Sequence, residues 1–131
     1  MTSALVRGLR GATTCDVDTP EAIGERTREL ILELMARNEI DHDDVISVLF
    51  TTSVDLTSTF PASAAREVGF GDIPLMCASE INVPGSMSKC IRIMMHIYTT
   101  RSRSEIHHVY LHNAQSPVSY THLTLPTKRI V

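Results

Sequence analysis

The stretch "CIRIMMHIY", residues 90–98, alternates between two kinds of side chain and constrains the fold more than any other part of the sequence. In a β-strand, successive side chains point to opposite faces. One face of this strand would be apolar, formed by Ile91, Ile93, Met95 and Ile97. The other would be mixed, formed by Cys90, Arg92, Met94, His96 and Tyr98. The pattern predicts a sheet with one face on a core and Arg92 on the mixed face.

Arg92 needs a partner, because burying an unpaired charge is costly. Glu80, the nearest carboxylate at a strand end in the sequence, could form a structural ion pair with it. Alternatively, Arg92 and Arg10, with Arg66 as a third candidate, form a site for a carboxylate or a developing oxyanion. The planar guanidinium suits such a site better than lysine does. The residues alone leave both hypotheses open.

A long amphipathic helix is predicted to begin at Pro20, with Thr19 as its N-cap. Its apolar stripe repeats at helical spacing, through Ile23, Thr27, Leu30, Ile31, Leu34 and Met35. A short helix is predicted to start at Pro61 and to end at Gly69.

Four further stretches read as strands: Leu5 to Thr14, Val45 to Thr52, residues 73–79 and residues 106–114. The two glycines of the first indicate a close backbone approach or a bulge. The second is nearly all apolar, so we expect it to be covered on both faces. With no internal repeat or linker, residues 1–114 are predicted to form one α+β domain of five strands, one long helix and one short helix.

The composition excludes several classes of protein. The chain has 131 residues and a net charge of −3, which shows no overall attraction to nucleic acid or anionic membrane. Its three cysteines have no C-x-x-C spacing, so neither a disulfide framework nor a zinc ribbon is indicated. The N-terminus lacks the apolar segment of a signal peptide, and no apolar run is long enough to span a membrane. We expect a cytoplasmic protein with reduced thiols.

Metal and nucleophile sites are weaker hypotheses. Six histidines suggest a metal site as one hypothesis. However, His107 and His108 would point to opposite faces of a strand, and no spacing matches a zinc signature. We expect no metal. Cys77 as a nucleophile would need a nearby base and a lowered pKa, so a packed or hydrogen-bonding thiol is favoured.

Five motifs occur in one order along the chain: "RGLRGATT", "FPASAARE", "CASE", "KCIRIMM" and "HVYL". In this order and spacing the chain resembles the trimeric, barrel-like monofunctional chorismate mutases over roughly residues 6–114. The resemblance implies a homotrimer whose three sheets form a barrel-like core, with active sites between subunits. The implied reaction is the Claisen rearrangement of chorismate to prephenate, in the shikimate route to phenylalanine and tyrosine, without a cofactor.

The resemblance also implies a role for each matching residue. Arg10 would bind a substrate carboxylate, and Arg92 would donate a hydrogen bond to the ether oxygen. Glu80 would accept one from the ring hydroxyl, which Cys77 would help to hold. Tyr110 would donate to a carboxylate. The neighbouring subunit would line the cleft with four residues of "FPASAARE": Phe60, Ala62, Ser63 and Arg66. Ser63 replaces a basic residue often found there in the family, which should weaken substrate affinity.

Fold alone does not separate this function from its alternatives. A non-catalytic or enamine-deaminase-like trimeric module also places an arginine in an intersubunit cleft. A ligand-binding regulator would bind chorismate without consuming it. Glu80 and Tyr110 beside two strand arginines favour the mutase, and Glu80 would be a general base only if the resemblance misleads.

The C-terminal segment departs from the family pattern. After Ala114 the sequence continues "QSPVSYTHLTLPTKRIV", in which "VSYTHLTLPT" resembles translated sequencing-adapter DNA. We therefore expect residues 115–131 to be a non-native tail and the domain to be truncated at its C-terminal end. The tail contains polar residues of types that are common in functional sites. Under this hypothesis they would have no evolved role: Tyr120, His122, Lys128 and Arg129.

Overall fold

A computed structural model of the protein describes residues 4–115. The strands are β1 (Leu5–Thr14), β2 (Val45–Thr52), β3 (Leu75–Ser79), β4 (Cys90–Thr99) and β5 (Val109–Tyr110). The helices are α1 (Pro20–Asn38) and α2 (Pro61–Ala65), and α2 continues into a π turn over Arg66–Phe70. Short 3-10 turns lie at His42–Asp44, Arg103–Glu105 and His112–Gln115. The predicted α+β fold, with five strands and a long and a short helix, is confirmed.

The five strands form one mixed sheet in the order β3-β2-β4-β1-β5. The central strand, β4, pairs antiparallel with β1 on one side and with β2 on the other. The outer pairs, β2 with β3 and β1 with β5, are parallel. The strand that carries Arg92 therefore lies in the middle of the sheet, flanked by two strands from the N-terminal half of the chain.

The alternation predicted for β4 is confirmed. Its apolar set, Ile91, Ile93, Met95 and Ile97, is buried on the face that both helices cover. On the opposite face Arg92, His96 and Tyr98 are exposed. We call this second side of the sheet the open face. The open face also includes residues of the neighbouring strands that lie beside these β4 residues in the sheet. They are Val6, Gly8, Arg10 and Ala12 of β1, Ser47, Leu49 and Thr51 of β2, and Met76 and Ala78 of β3.

Helix α1 begins and packs as its sequence predicts. The Thr19 hydroxyl accepts a hydrogen bond from the Ala22 N–H at 3.1 Å, and Pro20 occupies the first turn. The helix lies so close to β1 that a Cβ on Gly11 would stand 3.0 Å from Cδ1 of Leu34. Since β1 pairs with β4 without a register shift, the glycine marks a close approach and not a bulge.

Two strand predictions need correction. The expectation that β2 is covered on both faces is wrong for the single chain, because Leu49 and its neighbours on the open face are partly accessible. The predicted strand over residues 106–114 pairs only at Val109–Tyr110. A positive φ of 53° at His112 turns the backbone out of the strand.

Apart from Gln115, the predicted tail of residues 115–131 lies outside the described residues. Within residues 4–115, no helix combines the length and the apolar character needed to cross a membrane.

Candidate active site

Four neighbouring strands place one residue each in a single row across the open face. Arg92 of β4 lies opposite Ala12 of β1 and Thr51 of β2. Ala12 in turn lies opposite Tyr110 of β5. Residues in register point to the same side of a sheet, so the side chains of Tyr110, Arg92 and Thr51 share the open face. Arg10, two residues before Ala12, lies on the same face.

A pocket of about 290 Å³ lies above this row. Its polar lining residues are Arg10, Thr51, Arg92 and Tyr110. Apolar surface comes from Ala12, Leu49, Met87, Cys90, Ile93, Met94 and Ala114. Ligand pockets commonly start at about 300 Å³, so this one suits a small molecule. Two arginines and a phenol around an apolar floor suit an organic anion.

Glu80 provides the carboxylate partner of Arg92. Its Oε2 atom lies 3.2 Å from Nε of Arg92 and accepts a hydrogen bond from the Thr51 hydroxyl at 2.6 Å. The side chain of Arg92 is 46% exposed and that of Glu80 only 22%. The two hypotheses for Arg92 are therefore compatible, because Arg92 is paired with Glu80 and also lines a pocket that suits an anion.

The buried thiol of Cys90 lies beside Arg92. Burial raises the pKa of the Cys90 thiol, and the hydrogen bond and charge of Arg92 offset only part of that increase. A raised thiol pKa keeps the neutral form at physiological pH. Cys90 therefore contributes apolar, uncharged surface to the pocket rather than a nucleophile.

His108 adjoins Arg10. The Arg10 backbone N–H donates a hydrogen bond to Nδ1 of His108 at 2.9 Å. Burial lowers the pKa of His108, and the charge of Arg10 lowers it further. The imidazole is therefore held neutral, as an acceptor at Nδ1 requires.

Cys77 and Phe60 lie away from the pocket of Arg92. Cys77 is in register with Phe50, whose other neighbour in the sheet is Ile93, so its side chain lies on the helix-covered face. Together Cys77 and Phe60 line a second pocket of about 340 Å³ at the β3 edge. A single chain therefore does not bring Cys77 into the pocket that contains Arg92.

The other three candidates lie on or just after α2. Ala62 is buried in the main core, Ser63 is half-buried, and Arg66 is exposed on the π turn. None of them lines the pocket around Arg92. The predicted site residues thus fall into two groups on the single chain, one around Arg92 and one around Phe60.

The histidines have other partners. His112 lies 2.8 Å from Glu29, and His42 lies 2.7 Å from Asp72. Across residues 4–115, no three His, Cys, Asp or Glu side chains form a group that could hold a metal ion.

Thr51 is the polar residue of the pocket that the sequence did not predict. Its signal was the alternation of Leu49 and Thr51 along β2, which the apolar composition of that strand obscured. Cys90 and Met94 were correctly predicted to share a face with Arg92, but no role followed from that placement.

Comparisons with known proteins cover almost all of the described chain. A family model described as chorismate mutase type I matches residues 6–117. Chorismate mutase AroH of Thermus thermophilus is 45% identical over 111 residues, which are 84% of this chain and 91% of that protein. Chorismate mutase AroH of Bacillus subtilis (strain 168) is 40% identical over 108 residues, 82% and 85% of the two chains.

A solved structure is similar to the same extent. Chorismate mutase from Clostridium thermocellum aligns with a TM-score of 0.82 at 45% identity, covering 83% of this chain and 97% of that one. The family match includes both groups of predicted site residues, from Arg10 to Tyr110.

Proposed function

Since the chain belongs to the type I chorismate mutase family and converts chorismate to prephenate, we propose that the pocket on its open face holds the substrate with Arg92 at the ether oxygen. The observation that carries this proposal is the row of Tyr110, Arg92 and Thr51, with Arg10 beside it and Glu80 paired to Arg92. The family match and the relatives named as chorismate mutases support this enzyme over a non-catalytic or enamine-deaminase-like module and over a regulator that binds chorismate without consuming it.

Arg92 has the chemistry that this rearrangement requires. In the transition state the C–O bond breaks ahead of C–C bond formation, and negative charge accumulates on the ether oxygen. A guanidinium fixed there binds the transition state more tightly than the ground state, which is the condition for catalysis. Its ion pair with Glu80 limits its movement, so little reorganisation is needed when the charge develops.

Arg10 and Tyr110 are proposed to hold the carboxylates of the substrate. Both line the pocket: Arg10 lies two residues before Ala12 on β1, and Tyr110 lies opposite Ala12 on β5. Chorismate is a flexible dianion that must adopt a compact diaxial form to react. Fixing its two charged ends selects that form and brings the bonding carbons together, which replaces conformational search with high effective concentration.

Glu80 is proposed to accept a hydrogen bond from the ring hydroxyl. Its carboxylate is already oriented by two residues that line the pocket, Thr51 and Arg92. An oriented acceptor fixes the rotation of the ring relative to the ether oxygen. Cys77 would assist only from a second copy of the chain, because its own copy places it on the covered face.

We further propose that the protein is a homotrimer with shared sites. Several apolar side chains of the open face are exposed in the single chain: Val6, Leu49, Met76 and Tyr98. Phe60, which lines the separate pocket with Cys77, is 69% exposed. If a second copy covers the open face and brings Phe60 and Arg66 to Arg92, both the exposed apolar surface and the division of the site are accounted for.

The remaining proposals concern the chain as a whole. Residues 1–114 would form the mutase domain, and residues 115–131 would be a non-native tail that contributes no catalytic group. A cytoplasmic location fits the net charge of −3 and the free cysteines.

The direct test measures prephenate formation from chorismate by purified wild-type protein and by Arg92→Ala. Arg37→Ala is the matched control, since Arg37 pairs with Glu33 on the exposed side of α1. We expect Arg92→Ala to lose at least about 100-fold in kcat and Arg37→Ala to retain wild-type rates. Equal rates for Arg92→Ala and wild type would contradict the role of Arg92.

A further inference from the structure

The hydroxyl of Thr51 is a neutral group that contacts the Arg92–Glu80 pair through the carboxylate of Glu80. Thr51 lies between the two partners, in register with Arg92 on one side and with Ala78 on the other. Glu80 follows two residues after Ala78, so its side chain returns to the same face. The Glu80 backbone is fixed as well, because its N–H donates to the Thr52 carbonyl at 2.8 Å.

Thr51 and Arg92 contact the same carboxylate oxygen. The hydroxyl donates to Oε2 of Glu80 at 2.6 Å, and Nε of Arg92 lies 3.2 Å from that atom. A β-branched residue in a strand has few side-chain rotamers, so its hydroxyl is a rigid anchor. The carboxylate is thereby held on the Nε side of the guanidinium, and two donors instead of one fix the position of Oε2.

Without the hydroxyl, the carboxylate would have more freedom. A carboxylate next to an arginine tends to rotate toward the two-bond geometry that the guanidinium favours. Rotation of that kind would move the acceptor for the substrate hydroxyl. It would also change the direction in which the guanidinium of Arg92 points at the ether oxygen. Misplacements of about 1 Å can cost about 10²-fold in rate.

We propose that Thr51 is a positioning residue for the rearrangement, acting through Glu80. The proposal rests on the role assigned to Glu80 under the proposed function. Thr51 does not bind substrate; its hydroxyl sets the orientation of the carboxylate that does.

The test compares Thr51→Val, which removes the hydroxyl at nearly constant shape, with Thr51→Ser, which keeps it. We expect Thr51→Val to lose about tenfold in kcat/KM, less than the 10²- to 10³-fold typical of a direct transition-state donor. Most of the loss should be in kcat, and Thr51→Ser should recover most of it. Wild-type kinetics for Thr51→Val, or an equal loss in Thr51→Ser, would overturn the proposal.

Thr13→Val is the matched control. Thr13 lies in β1, is fully buried, and its hydroxyl has no hydrogen-bond partner within residues 4–115. The same chemical change there should leave kcat/KM unchanged and should not lower the melting temperature. A similar loss of activity in Thr13→Val would show that the change in Thr51→Val reflects general perturbation of the sheet.

A double-mutant cycle with Glu80→Gln separates this proposal from the role of Glu80. If Thr51 acts through Glu80, Thr51→Val should cost much less in the Glu80→Gln background than in the wild type. An undiminished cost there would overturn the positioning role. Wild-type activity of Glu80→Gln alone would instead overturn the role of Glu80. Reduced activity of Glu80→Gln with wild-type activity of Thr51→Val would overturn only the inference about Thr51.

Discussion

The Nδ1 atom of His108 accepts a hydrogen bond from the backbone N–H of Arg10 at 2.9 Å. The contact lies next to the two-residue pairing of β1 with β5. A side chain therefore continues the connection between the strands one step beyond their backbone pairing. Since an imidazole that accepts at Nδ1 is neutral, the residue proposed to bind a substrate carboxylate is held in place by an uncharged histidine.

The first prediction is that acid weakens this connection. Burial, followed by the charge of Arg10, lowers the pKa of His108 below its ordinary value of 6.5. Between the two values the folded chain binds fewer protons than the unfolded chain, so the free energy of unfolding falls as pH drops. The contribution of His108 should be complete above pH 6.5 and lost as pH falls through the lowered pKa. Protonation also adds charge beside Arg7, Arg10 and Arg103, which line a pocket with His108.

Denaturant unfolding of the wild type and of His108→Asn between about pH 5 and pH 8 measures this effect. The amide oxygen of asparagine can replace Nδ1 as acceptor and does not titrate. His42 acts in the opposite sense, because its hydrogen bonds to Asp72 and Asp43 raise its pKa. Its stabilising contribution is present below pH 6.5 and is lost as pH rises, and both proteins carry it equally. Identical pH profiles would contradict the role of His108.

The second prediction concerns Arg92→Lys. The ammonium retains the charge but cannot provide the planar guanidinium, with Nε paired to Glu80 and further donors beyond it. We expect kcat to fall about 10²- to 10³-fold and KM to change far less. Steady-state kinetics, with melting temperatures to confirm folding, measure the difference. A loss confined to KM would place Arg92 in substrate binding and not at the ether oxygen.

The sequence predicted the strand of Arg92 well because its alternation is local. Ile91, Ile93 and Met95 recur at every second position, as expected for a strand with one covered face, and the structure places all three in the core. The start of α1 was predicted equally well, because the capping residues Thr19 and Pro20 act within one turn. Patterns of this kind depend on neighbours in the chain and need no tertiary information.

Other features depend on contacts between distant parts of the chain. The strand β2 reads as doubly covered because hydrophobicity does not reveal whether another part of the chain or a second copy provides the cover. The hydrogen bond from Thr51 to Glu80 joins residues 29 positions apart and depends on β2 lying between β3 and β4. Cys77 is near Glu80 in the sequence, yet the period of the strand places the two on opposite faces.

The third prediction tests the packing of α1 on the sheet. Gly11→Ala would place a Cβ 3.0 Å from Cδ1 of Leu34 and 3.1 Å from Cδ1 of Leu30, two side chains of the buried core. We expect destabilisation of about 1–3 kcal/mol from overpacking. Gly24→Ala is the control, because a Cβ there meets nothing within 4 Å. That change should stabilise helix α1 by about 0.5–1 kcal/mol. Denaturant unfolding should give shifts of opposite sign, and a neutral Gly11→Ala would contradict the close approach.

The fourth prediction is that two impaired variants restore activity when their chains assemble together. If a site takes Arg92 from one subunit and Arg66 from its neighbour, then co-expressed Arg92→Ala and Arg66→Ala chains form some sites with both arginines. Random assembly of a trimer would make about a quarter of the sites intact. Each variant alone should be weak, Arg66→Ala chiefly through a raised KM. The mixture should recover activity near wild-type KM, and light scattering should report a trimer. An active monomer, or no recovery in mixed trimers, would contradict the shared site.

The fifth prediction concerns the segment that resembles adapter sequence, which starts at Val118. The family match ends at residue 117, and the last described turn, His112–Gln115, is already tied to the domain. In that turn the Asn113 N–H donates to the Thr14 hydroxyl and the Ala114 N–H to the Leu111 carbonyl. If this segment was never selected to pack, it contributes few stabilising contacts and its removal should be tolerated. Ending the chain after Pro117 should therefore leave the melting temperature, the oligomeric state and kcat nearly unchanged.

Ending it before His112 is the contrasting deletion, because it removes both hydrogen bonds and the buried Ala114 beside the substrate pocket. We expect that shorter chain to melt at a lower temperature and to bind chorismate more weakly. A loss of several degrees on removing residues 118–131 alone would show that the segment packs on the domain and that its resemblance to adapter sequence does not describe its structural role.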